Sequence, residues 1–368
     1  MKLHRFEMER WQSTHEHGVR FNLSESGVEP VSLGEFLAEE DLKALLRSSL
    51  GYAETKGSED LRRAIADLYA GCGPENVLVT TGTAEANLLV ALHTVDRGSR
   101  VVTILPNYMQ MWGLAASIGR EVGVLRLREE RGWQPDEEDV KEEVHRKTDV
   151  ISFSNPNNPT GACLSGESRG AILDAAREAD AWILSDEVFR GAERQGGLTD
   201  TLWGEYEKVL VTSSLSKAFG LPGLRLGWIC GPEDAIEELW SLHDYTTIAL
   251  SKIVEALGTL ALVRWRDKLL SRARGFIRGN FPLIQAFVEG SGLAWIPPRA
   301  GAIAFIRYPS RIPSEDLAKR ALDKDVLVVP GVHFQDEGYL RVGFGMETGM
   351  LEGGLELLEA LFQEVPGP

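Results

Sequence analysis

One lysine and one arginine stand eight positions apart in the segment SSLSKAFGLPGLRLGW, which covers residues 213–228. Lys217 lies among small polar residues, and a lysine amine is a good nucleophile when its surroundings favour the uncharged form. With an aldehyde, such an amine forms a Schiff base. Arg225 and Ser214 offer a fixed positive charge and a hydroxyl donor, which together suit a phosphate group. The spacing therefore indicates covalent binding of a phosphorylated aldehyde, and pyridoxal phosphate is the compound implied.

An isolated Ser-x-x-Lys pattern is usually a surface loop with a solvated lysine, so this interpretation depends on other segments. In TTGTAEAN, residues 80–87, a short β-rich run gives way to a helical pattern. The backbone amides of Gly82, Thr83 and Ala84 would then face a phosphate at the positive end of the helix dipole. Taken alone, a Thr-Gly turn before a helix is usually just a cap.

Two further segments follow β-rich runs. SNPNNPTG, residues 154–161, has two Asn-Pro steps that force an extended, irregular backbone and can present a side-chain amide rigidly. Asp186, in ILSDEVFRG, stands where its carboxylate can pair with a protonated pyridine nitrogen, and this pairing makes such a ring an electron sink. A tight loop and a helix cap are the plain alternatives for these two segments.

Together these segments resemble the fold-type I pyridoxal-phosphate (PLP) enzymes, specifically the class I/II aminotransferases, and the resemblance runs through nearly the whole chain. The family's S-x-S-K-x-x-x-x-x-G-x-R-x-G pattern matches residues 214–227, and its N-P-x-N-P-T-G pattern matches residues 155–161. The resemblance implies an enzyme that transfers the amino group of an L-amino acid to a 2-oxo acid through a Schiff base at Lys217. The implied fold is α/β, with a mainly parallel central sheet flanked by helices plus a smaller α+β domain.

The resemblance also implies a role for each residue that matches a family motif. Catalysis is assigned to Lys217. The implied cofactor-binding residues are Gly82, Thr83, Ala84, Tyr108, Asn158, Asp186, Ser214, Lys217, Arg225 and Tyr52. The implied substrate-binding residues are Arg341, Asn158, Glu25, Ser26 and Gly27. The family motifs imply no metal ligand.

Four of these residues have specific implied contacts. Tyr108, in LPNYMQMWG, matches the aromatic residue that stacks on the pyridine ring, and Asn158 matches the asparagine that bonds the cofactor's phenolic oxygen. Arg341, in YLRVGFG, matches the arginine that binds the substrate α-carboxylate through two parallel hydrogen bonds. Tyr52, in the family's Y-x-x-x-x-G-x-x-x-L-R pattern, matches a tyrosine that reaches the phosphate of the neighbouring subunit. The resemblance therefore implies a homodimer.

Phe189 departs from the family pattern. The family usually has a tyrosine three residues after the aspartate that matches Asp186, and that tyrosine donates a second hydrogen bond to the phenolic oxygen. This chain keeps the aromatic ring and loses the hydroxyl. Because the hydrogen bond favours the phenolate, its loss should change how readily the linkage between Lys217 and the cofactor loses its proton. We therefore expect altered transamination and a displaced pH optimum.

The substrate side chain is the feature that the sequence determines least. In the family, the segment equivalent to NLSESGVEP, residues 22–30, lies beside the substrate. The helix before it carries Glu9, His15, Glu16 and His17. Acidic groups there could accept a basic side chain such as a guanidinium, although a charged helix face is more often simply solvated. The two histidines lack the further ligands that a metal site needs. The segment also resembles PLP enzymes that cyclise or oxidise arginine derivatives in the capreomycidine and enduracididine pathways, and such a reaction is the alternative function.

Short β-rich runs alternate with helical patterns between Val77 and about Cys230, which predicts a mainly parallel sheet with helices on both faces. The predicted strands are 77–80, 101–104, 150–154, 182–185 and 209–212. A long helical stretch from about Ser251 to Arg274 then leads to predicted strands at 302–307, 326–329 and 340–344. We expect a large domain over residues 45–265, a small domain from residues 1–44 and 266–368, and a frayed Pro-Gly-Pro end.

Composition narrows the class of partner. The chain has 39 Lys and Arg against 55 Asp and Glu, and the formal net charge of −16 disfavours nucleic acids and anionic membranes as partners. Its three cysteines show no metal-ligand spacing and no paired framework, so we expect reduced thiols and a cytoplasmic location. The N-terminal residues lack the apolar run of a signal peptide, and no segment is apolar enough to span a membrane. A third alternative is a non-catalytic regulator that senses the cofactor. Such a protein would need an attached DNA-binding module, whereas the resemblance to the catalytic fold extends through nearly the whole of this sequence, so we rank this alternative last.

Overall fold

A seven-stranded sheet forms the centre of the protein. The computed structural model describes residues 2–119 and 121–365. In chain order the strands are Phe21–Asn22 (β1), Val77–Thr80 (β2), Arg100–Leu105 (β3), Glu121–Arg126 (β4), Val150–Ser154 (β5), Trp182–Asp186 (β6), Val209–Ser214 (β7), Gly227–Cys230 (β8), Ala294–Trp295 (β9), Ile303–Arg307 (β10), Val326–Leu327 (β11), Val329–Pro330 (β12) and Tyr339–Gly343 (β13). The central sheet has the order β2-β8-β7-β6-β5-β3-β4, and its pairs are parallel except where β8 meets β2 and β7. The predicted mainly parallel sheet is confirmed.

Helices cover both faces of this sheet. The α-helices of the described residues, including those outside this sheet, are Glu7–His15 (α1), Leu33–Phe36 (α2), Glu39–Leu46 (α3), Glu59–Ala66 (α4), Gly82–Thr94 (α5), Gln110–Ile118 (α6), Glu137–Glu143 (α7), Gly166–Ala179 (α8), Glu233–His243 (α9), Lys252–Val263 (α10), Arg266–Gly290 (α11), Ser314–Asp323 (α12) and Thr348–Glu364 (α13). Alternate residues of one strand enter two separate apolar cores, because successive side chains point to opposite faces. In β7, Val209 and Val211 join one core and Leu210 joins the other.

The five strands predicted for this sheet all form, with bounds within two residues of those expected. Sequence analysis did not predict β4 or β8. The exposed and buried residues of β4 alternate at the edge of the sheet, which weakens its apolar signal. β8 lies antiparallel between β2 and β7 and follows β7 after twelve residues that contain one short 3-10 helix but no α-helix. A pattern of strands alternating with helices therefore gives no signal for β8.

The C-terminal part carries a smaller antiparallel sheet with the order β12-β13-β10-β9. The predicted run at 326–329 is divided into β11 and β12, and only β12 belongs to this sheet. The predicted helical stretch from Ser251 to Arg274 is two helices, α10 and α11, and α11 continues to Gly290. The Pro-Gly-Pro end at 366–368 lies outside the described residues.

The N-terminal segment lies against the C-terminal part. β1 pairs in parallel with β11, with Phe21 opposite Val326, and Trp11 Nε1 donates a hydrogen bond to Val328 O at 2.8 Å. These contacts support our proposal that residues 1–44 and 266–368 form one domain and residues 45–265 another. Within residues 2–119 and 121–365, no helix combines the length and the apolar character needed to cross a bilayer.

Candidate active site

A cavity of about 320 Å³ lies at the carboxyl ends of β5, β6 and β7, which is where parallel sheets bind ligands. The predicted site residues that line it are Thr83, Ala84, Tyr108, Asn158, Asp186, Ser214, Lys217, Arg225, Arg341, Glu25 and Ser26. Phe189, Glu9 and Glu16 line it as well. One cavity thus brings together side chains from four strand ends, the N-terminal helix and the small sheet.

The other predicted residues lie outside the cavity lining. Gly82 packs against the Arg225 guanidinium, and a Cβ on Gly27 would lie 3.5 Å from Lys217 Cδ, so both glycines support lining residues. Tyr52 is 86% exposed and lines a separate surface hollow with Ala249–Ile253. Within a single chain it does not reach the site. Its predicted contact with a neighbouring subunit stays a prediction.

Lys217 follows β7 by three residues and points into the cavity. Bonds from Leu215 N to Leu226 O and from Leu221 N to Leu215 O close the loop around it. The Nζ atom lies 3.8 Å from Glu25 Oε2, and the side chain is 26% exposed. The amine is therefore accessible from the cavity but held in a defined position.

Asp186 ends β6 at the floor of the cavity. Its carboxylate accepts hydrogen bonds from Asn87 Nδ2 at 3.2 Å and from Val188 N at 3.1 Å. Burial raises the pKa of this carboxyl to about 6, although these bonds and the Lys217 charge oppose the shift. A buried carboxylate without a cation in direct contact can accept a hydrogen bond from a protonated ring nitrogen, which would offset its desolvation.

The start of α5 and the loop before β8 form a cup for an anion. Gly82 has φ +77°, and a Cβ there would lie 2.7 Å from Arg225 Nη2, so the guanidinium sits directly on the glycine backbone. Arg225 itself has φ +49° and forms no ion pair among the described residues. Thr83 Oγ1 is buried without a hydrogen-bond partner in the described structure. A free cation, an unsatisfied hydroxyl and the first N–H groups of a helix together fit a phosphate.

Tyr108 is tied to the N-terminal helix. Its hydroxyl donates a hydrogen bond to Glu9 Oε1 at 2.9 Å, and its ring lies 5.0 Å from that of Phe6. Burial, followed by the Glu9 charge, raises the pKa of Tyr108 well above its usual value, so the phenol stays protonated. The sequence motif placed the ring at the site but did not predict this contact with α1.

Arg341, on β13, is a fully buried guanidinium that lines the cavity. Its Nη2 donates to Ser24 O at 2.6 Å and to Gln12 Oε1 at 3.5 Å, and its Nη1 donates to Asn158 Oδ1 at 3.0 Å. Its Nε has no partner, and no carboxylate within the described residues forms an ion pair with it. Burial lowers its pKa to about 10, which still leaves it charged. An unpaired buried cation is suited to bind a carboxylate.

Besides Asp186, three glutamate carboxylates line the same cavity. Glu9 is engaged by Tyr108, Glu25 lies near Lys217, and Glu16 is 27% exposed beside His17. His15 lines a different cavity and the His17 side chain is 91% exposed, and neither histidine lines the candidate site. The described residues contain no group of three or more His, Cys, Asp or Glu side chains arranged to hold a metal ion.

Helix α1 separates two cavities. The larger one, about 630 Å³, lies on the opposite face and is lined by Arg10, Trp11 and His15 of α1 and by residues of α6. It contains none of Lys217, Asp186 or Arg341. The smaller cavity is therefore the candidate active site, because catalytic chemistry requires those groups.

Sequence reasoning missed the residues that hold the site together. Asn87 donates to Asp186 and accepts from Thr212 Oγ1 at 2.8 Å, and Gln12 binds both Ser24 and Arg341. Asn87 stands in the TTGTAEAN segment, five residues after Gly82. The available signal was that Asn87 is a polar residue among the apolar residues of a helix that packs on the sheet.

A family model described as "Aminotransferase class I and II" matches residues 35–358. The chain belongs to this family. The class I and II aminotransferases are PLP-dependent fold-type I enzymes, and this chain has their sheet with its smaller antiparallel sheet. It is therefore a PLP-dependent enzyme of the aminotransferase type. Asp186, Arg225 and Thr83 fit the ring nitrogen and phosphate of that cofactor.

Relatives within the aminotransferase family carry different names. Capreomycidine synthase of Streptomyces vinaceus is 33% identical over 95% of this chain and 91% of the relative. Aspartate aminotransferase of Thermococcus kodakarensis is 28% identical over 89% of this chain and 86% of the relative. Among solved structures, a PLP-dependent aminotransferase from Streptococcus suis has a TM-score of 0.94 and 30% identity, with all of both chains covered. The PLP-dependent cyclase OrfR has a TM-score of 0.89 and 28% identity over 99% of this chain and 98% of that one.

Proposed function

We propose that this aminotransferase-family enzyme takes the α-amino group from an L-amino acid with a cationic side chain and transfers it to a 2-oxo acid. One observation carries the proposal. Arg341, a buried cation without an ion-pair partner, lines the same cavity as Lys217 and the carboxylates of Glu9, Glu16 and Glu25. An α-carboxylate, an α-amine and a positively charged side chain match these three kinds of group in turn.

The cofactor would be held by residues from the ends of β6 and β7, from the loop before β8 and from the start of α5. Lys217 Nζ would bind the aldehyde carbon covalently, and Asp186 would accept a hydrogen bond from the ring nitrogen. Ser214, Arg225 and the amides at the start of α5 would bind the phosphate. When bound, the cofactor supplies an electron-poor ring that accepts the electron pair left at Cα when a proton departs.

The chain's own groups then position the substrate and move the proton. Arg341 binds the α-carboxylate and so turns the Cα–H bond towards Lys217. Once the substrate amine has displaced it, Lys217 Nζ takes the Cα proton as a general base and returns it as a general acid. The buried side chains of Met8 and Phe189 line the cavity and exclude water from the proton-transfer path.

The acidic lining distinguishes the proposed substrate from aspartate. A dicarboxylic substrate needs a second cation at the side-chain end, whereas Glu9, Glu16 and Glu25 there would repel its carboxylate. A guanidinium or ammonium group would instead gain charge-assisted hydrogen bonds. Several relatives are named aspartate aminotransferases, so this lining would be the difference in this chain.

A second candidate is cyclisation or oxidation of an arginine-type amino acid at the same cofactor. Three observations favour it: the 33% identity to capreomycidine synthase, the likeness to the cyclase OrfR, and the buried Phe189 in place of a tyrosine. In that reaction Lys217 and Arg341 keep the roles described above. The electron pair at Cα would expel a leaving group that the substrate carries on its side chain, after which a side-chain nitrogen adds at that carbon and closes the ring. In the oxidative branch the pair would instead reduce molecular oxygen, and neither branch consumes a 2-oxo acid.

A substrate panel tests both candidates. Purified protein with PLP is incubated with arginine, ornithine, norleucine and aspartate, with and without 2-oxoglutarate, and the products are identified by mass spectrometry. Amino transfer predicts turnover of the basic amino acids only when the oxo acid is present. Turnover of arginine that ignores the oxo acid would support the second candidate. Turnover restricted to norleucine or aspartate would contradict the cationic side chain, and the Lys217→Ala variant serves as the inactive control.

We further propose that the enzyme is a homodimer in which Tyr52 reaches the neighbouring phosphate cup. The segment around it is apolar and exposed: Leu46, Leu50 and Tyr52 are 78%, 87% and 86% exposed. Large exposed apolar side chains that lie close together mark contact surfaces. Cys72, Cys163 and Cys230 are unpaired, which supports the proposed cytoplasmic location.

A further inference from the structure

A buried polar cluster lies beneath the first turn of α5 and has no role in the chemistry described above. We call Glu85, His243, Thr246 and Thr247 the Glu85 cluster. Glu85 is 8% exposed and His243 is fully buried. The cluster joins three segments: the start of α5, the end of α9 with its following loop, and the chain near Tyr52.

Several donors converge on the Glu85 carboxylate. Thr81 N donates to Oε2 and Thr246 Oγ1 to Oε1, both at 2.5 Å. Thr247 donates through its backbone N at 3.2 Å and its Oγ1 at 2.8 Å. Burial raises the pKa of the Glu85 carboxyl, but the hydrogen bonds from His243, Thr246, Thr81 and Thr247 outweigh it and bring the value to about 2. The side chain is a permanent acceptor.

His243 extends the cluster to the segment that follows Tyr52. Its Nε2 lies 3.0 Å from Thr247 Oγ1 and 3.6 Å from Glu85 Oε2, and its Nδ1 lies 3.1 Å from Thr55 O. Thr55 Oγ1 in turn accepts a hydrogen bond from Trp240 Nε1 at 2.9 Å. The chain three residues after Tyr52 is therefore fixed to the same carboxylate network as the start of α5.

The Thr81 contact bears directly on the phosphate cup. The first N–H groups of a helix have no acceptor within the helix. Glu85 binds the N–H of Thr81, the residue just before α5, and so fixes the turn from which the N–H groups of Gly82, Thr83 and Ala84 project. The hydroxyl of Thr81 also donates to Thr247 Oγ1 at 3.2 Å. Thr81, which directly precedes the cup residues, is thus held through both its backbone N–H and its side-chain hydroxyl.

We infer that Glu85 and His243 are positioning residues: they hold the phosphate cup at the start of α5 in its binding geometry and link it to the segment that carries Tyr52. The inference rests on the proposed cofactor site. Neither side chain lines the cavity, so both act through Thr81 and Thr247. Phosphate affinity should therefore depend on a carboxylate that never touches the phosphate.

Equilibrium binding of PLP to the cofactor-free protein tests the inference. In Glu85→Gln one acceptor oxygen becomes a donor that faces the converging hydroxyl and amide donors, so we expect the dissociation constant for PLP to rise about tenfold. Thr247→Val removes one hydroxyl without changing the shape of the side chain and should weaken binding about threefold. Thr247→Ser keeps that hydroxyl and should restore wild-type affinity. The ³¹P chemical shift of bound PLP should move in the two weakened variants.

Glu255→Gln is the matched control. Glu255 is also a buried glutamate of the same region, 6% exposed, and it accepts a hydrogen bond from Ser58 N at 3.2 Å, but it makes no contact with Thr81. Its PLP affinity should stay within twofold of wild type. If Glu85→Gln and Thr247→Val lowered the melting temperature yet bound PLP as wild type does, the cluster would be merely structural and the inference wrong. If Glu85→Gln failed to fold, the comparison of Thr247→Val with Thr247→Ser would decide: weaker PLP binding in Thr247→Val alone would support the inference, and equal binding in both would contradict it. Failure of wild-type protein to bind PLP would instead overturn the proposed cofactor site itself.

Discussion

Arg341 Nη1 donates a hydrogen bond to Asn158 Oδ1 at 3.0 Å, and this bond joins β13 of the small sheet to the loop after β5. The two residues have separate proposed partners, the substrate carboxylate for Arg341 and the phenolic oxygen of the cofactor for Asn158. With its oxygen engaged by Arg341, Asn158 is left with its amide N–H groups to donate to that oxygen. If these proposed partners are right, substrate binding and the cofactor's phenolic oxygen are linked through this one hydrogen bond.

Two replacements of Arg341 should distinguish the contribution of its positive charge to substrate binding from that of its planar guanidinium. In Arg341→Met we expect KM for the amino acid to rise about 100-fold, because two charge-assisted hydrogen bonds are lost. Arg341→Lys keeps the charge without the planar fork and should raise KM about tenfold. We expect the melting temperature of Arg341→Met to change little, because the variant removes the desolvation cost of a buried cation but leaves Ser24 O, Gln12 Oε1 and Asn158 Oδ1 without their donor. Steady-state kinetics and thermal melts measure both effects; an unchanged KM would remove Arg341 from the substrate site.

Phe189→Tyr should restore the family's missing hydroxyl. Phe189 lines the cavity and is 1% exposed. A hydroxyl that donates to the phenolic oxygen favours its anionic form, so a proton shared between that oxygen and the nitrogen of Lys217 should be lost at lower pH, by about one pH unit. The pH dependence of the visible absorption of the bound cofactor measures this shift. A titration curve that did not move would mean that position 189 does not face the phenolic oxygen.

Glu16→Gln tests recognition of a cationic side chain. We expect KM for arginine to rise about fivefold, the size of one partly exposed charge interaction, with little change for norleucine. Glu7→Gln is the matched control, because Glu7 lies on the opposite face of α1 and is engaged by Arg5 at 3.3 Å. Equal effects of Glu16→Gln on arginine and norleucine would contradict a charge contact.

Asp186→Asn should change stability in opposite directions with and without the cofactor. In the cofactor-free protein burial raises the pKa of Asp186 from 3.8 to about 6, so its ionised form destabilises the fold as pH rises through that window and has no such effect below it. Above pH 6 we therefore expect the variant to be more stable than wild type by about 1–3 kcal/mol, and near pH 3.8 to be equal. With PLP bound the order should reverse, because the ring nitrogen loses its anionic partner. Urea unfolding at pH 4 to 8 measures the difference, and a difference independent of pH would refute the assigned pKa.

Tyr52→Ala and Lys217→Ala should complement each other if active sites are shared. Each variant alone lacks one component in both sites of a homodimer, whereas a mixed dimer has one site with both intact. Refolding an equal mixture should therefore recover about a quarter of wild-type activity. Activity assays before and after subunit exchange measure this. Absence of recovery in a confirmed mixed dimer would place Tyr52 outside the neighbouring site.

Most of the site residues that the sequence could predict lie directly after predicted strands. Asp186, Asn158 and Lys217 each follow an apolar run, and the carboxyl ends of parallel strands meet at one edge, so their convergence follows from local signals. Their cofactor roles remain predictions. β8 escaped prediction because it follows β7 without an intervening α-helix and lies antiparallel in a mostly parallel sheet.

Contacts between distant segments could not be predicted from sequence. Tyr108 and Glu9 are 99 residues apart, and Glu85 and His243 are 158 residues apart, so no local spacing signals either pair. The orientation of α1 decides which of its carboxylates face Lys217. That orientation depends on β1 pairing with β11, two residues on each side, which is too short to leave a periodic pattern.

Helix α1 forms the wall between the active-site cavity and its larger neighbour, and its nine residues carry little of the cofactor chemistry. On the proposed function, the carboxylates that would bind the substrate side chain lie in the N-terminal segment, whereas Lys217 and Asp186 follow strands of the central sheet. An engineer seeking a new amine donor could vary Glu9, Glu16 and Glu25 while retaining Gln12, Ser24 and Gly27, which contact Arg341 and Lys217.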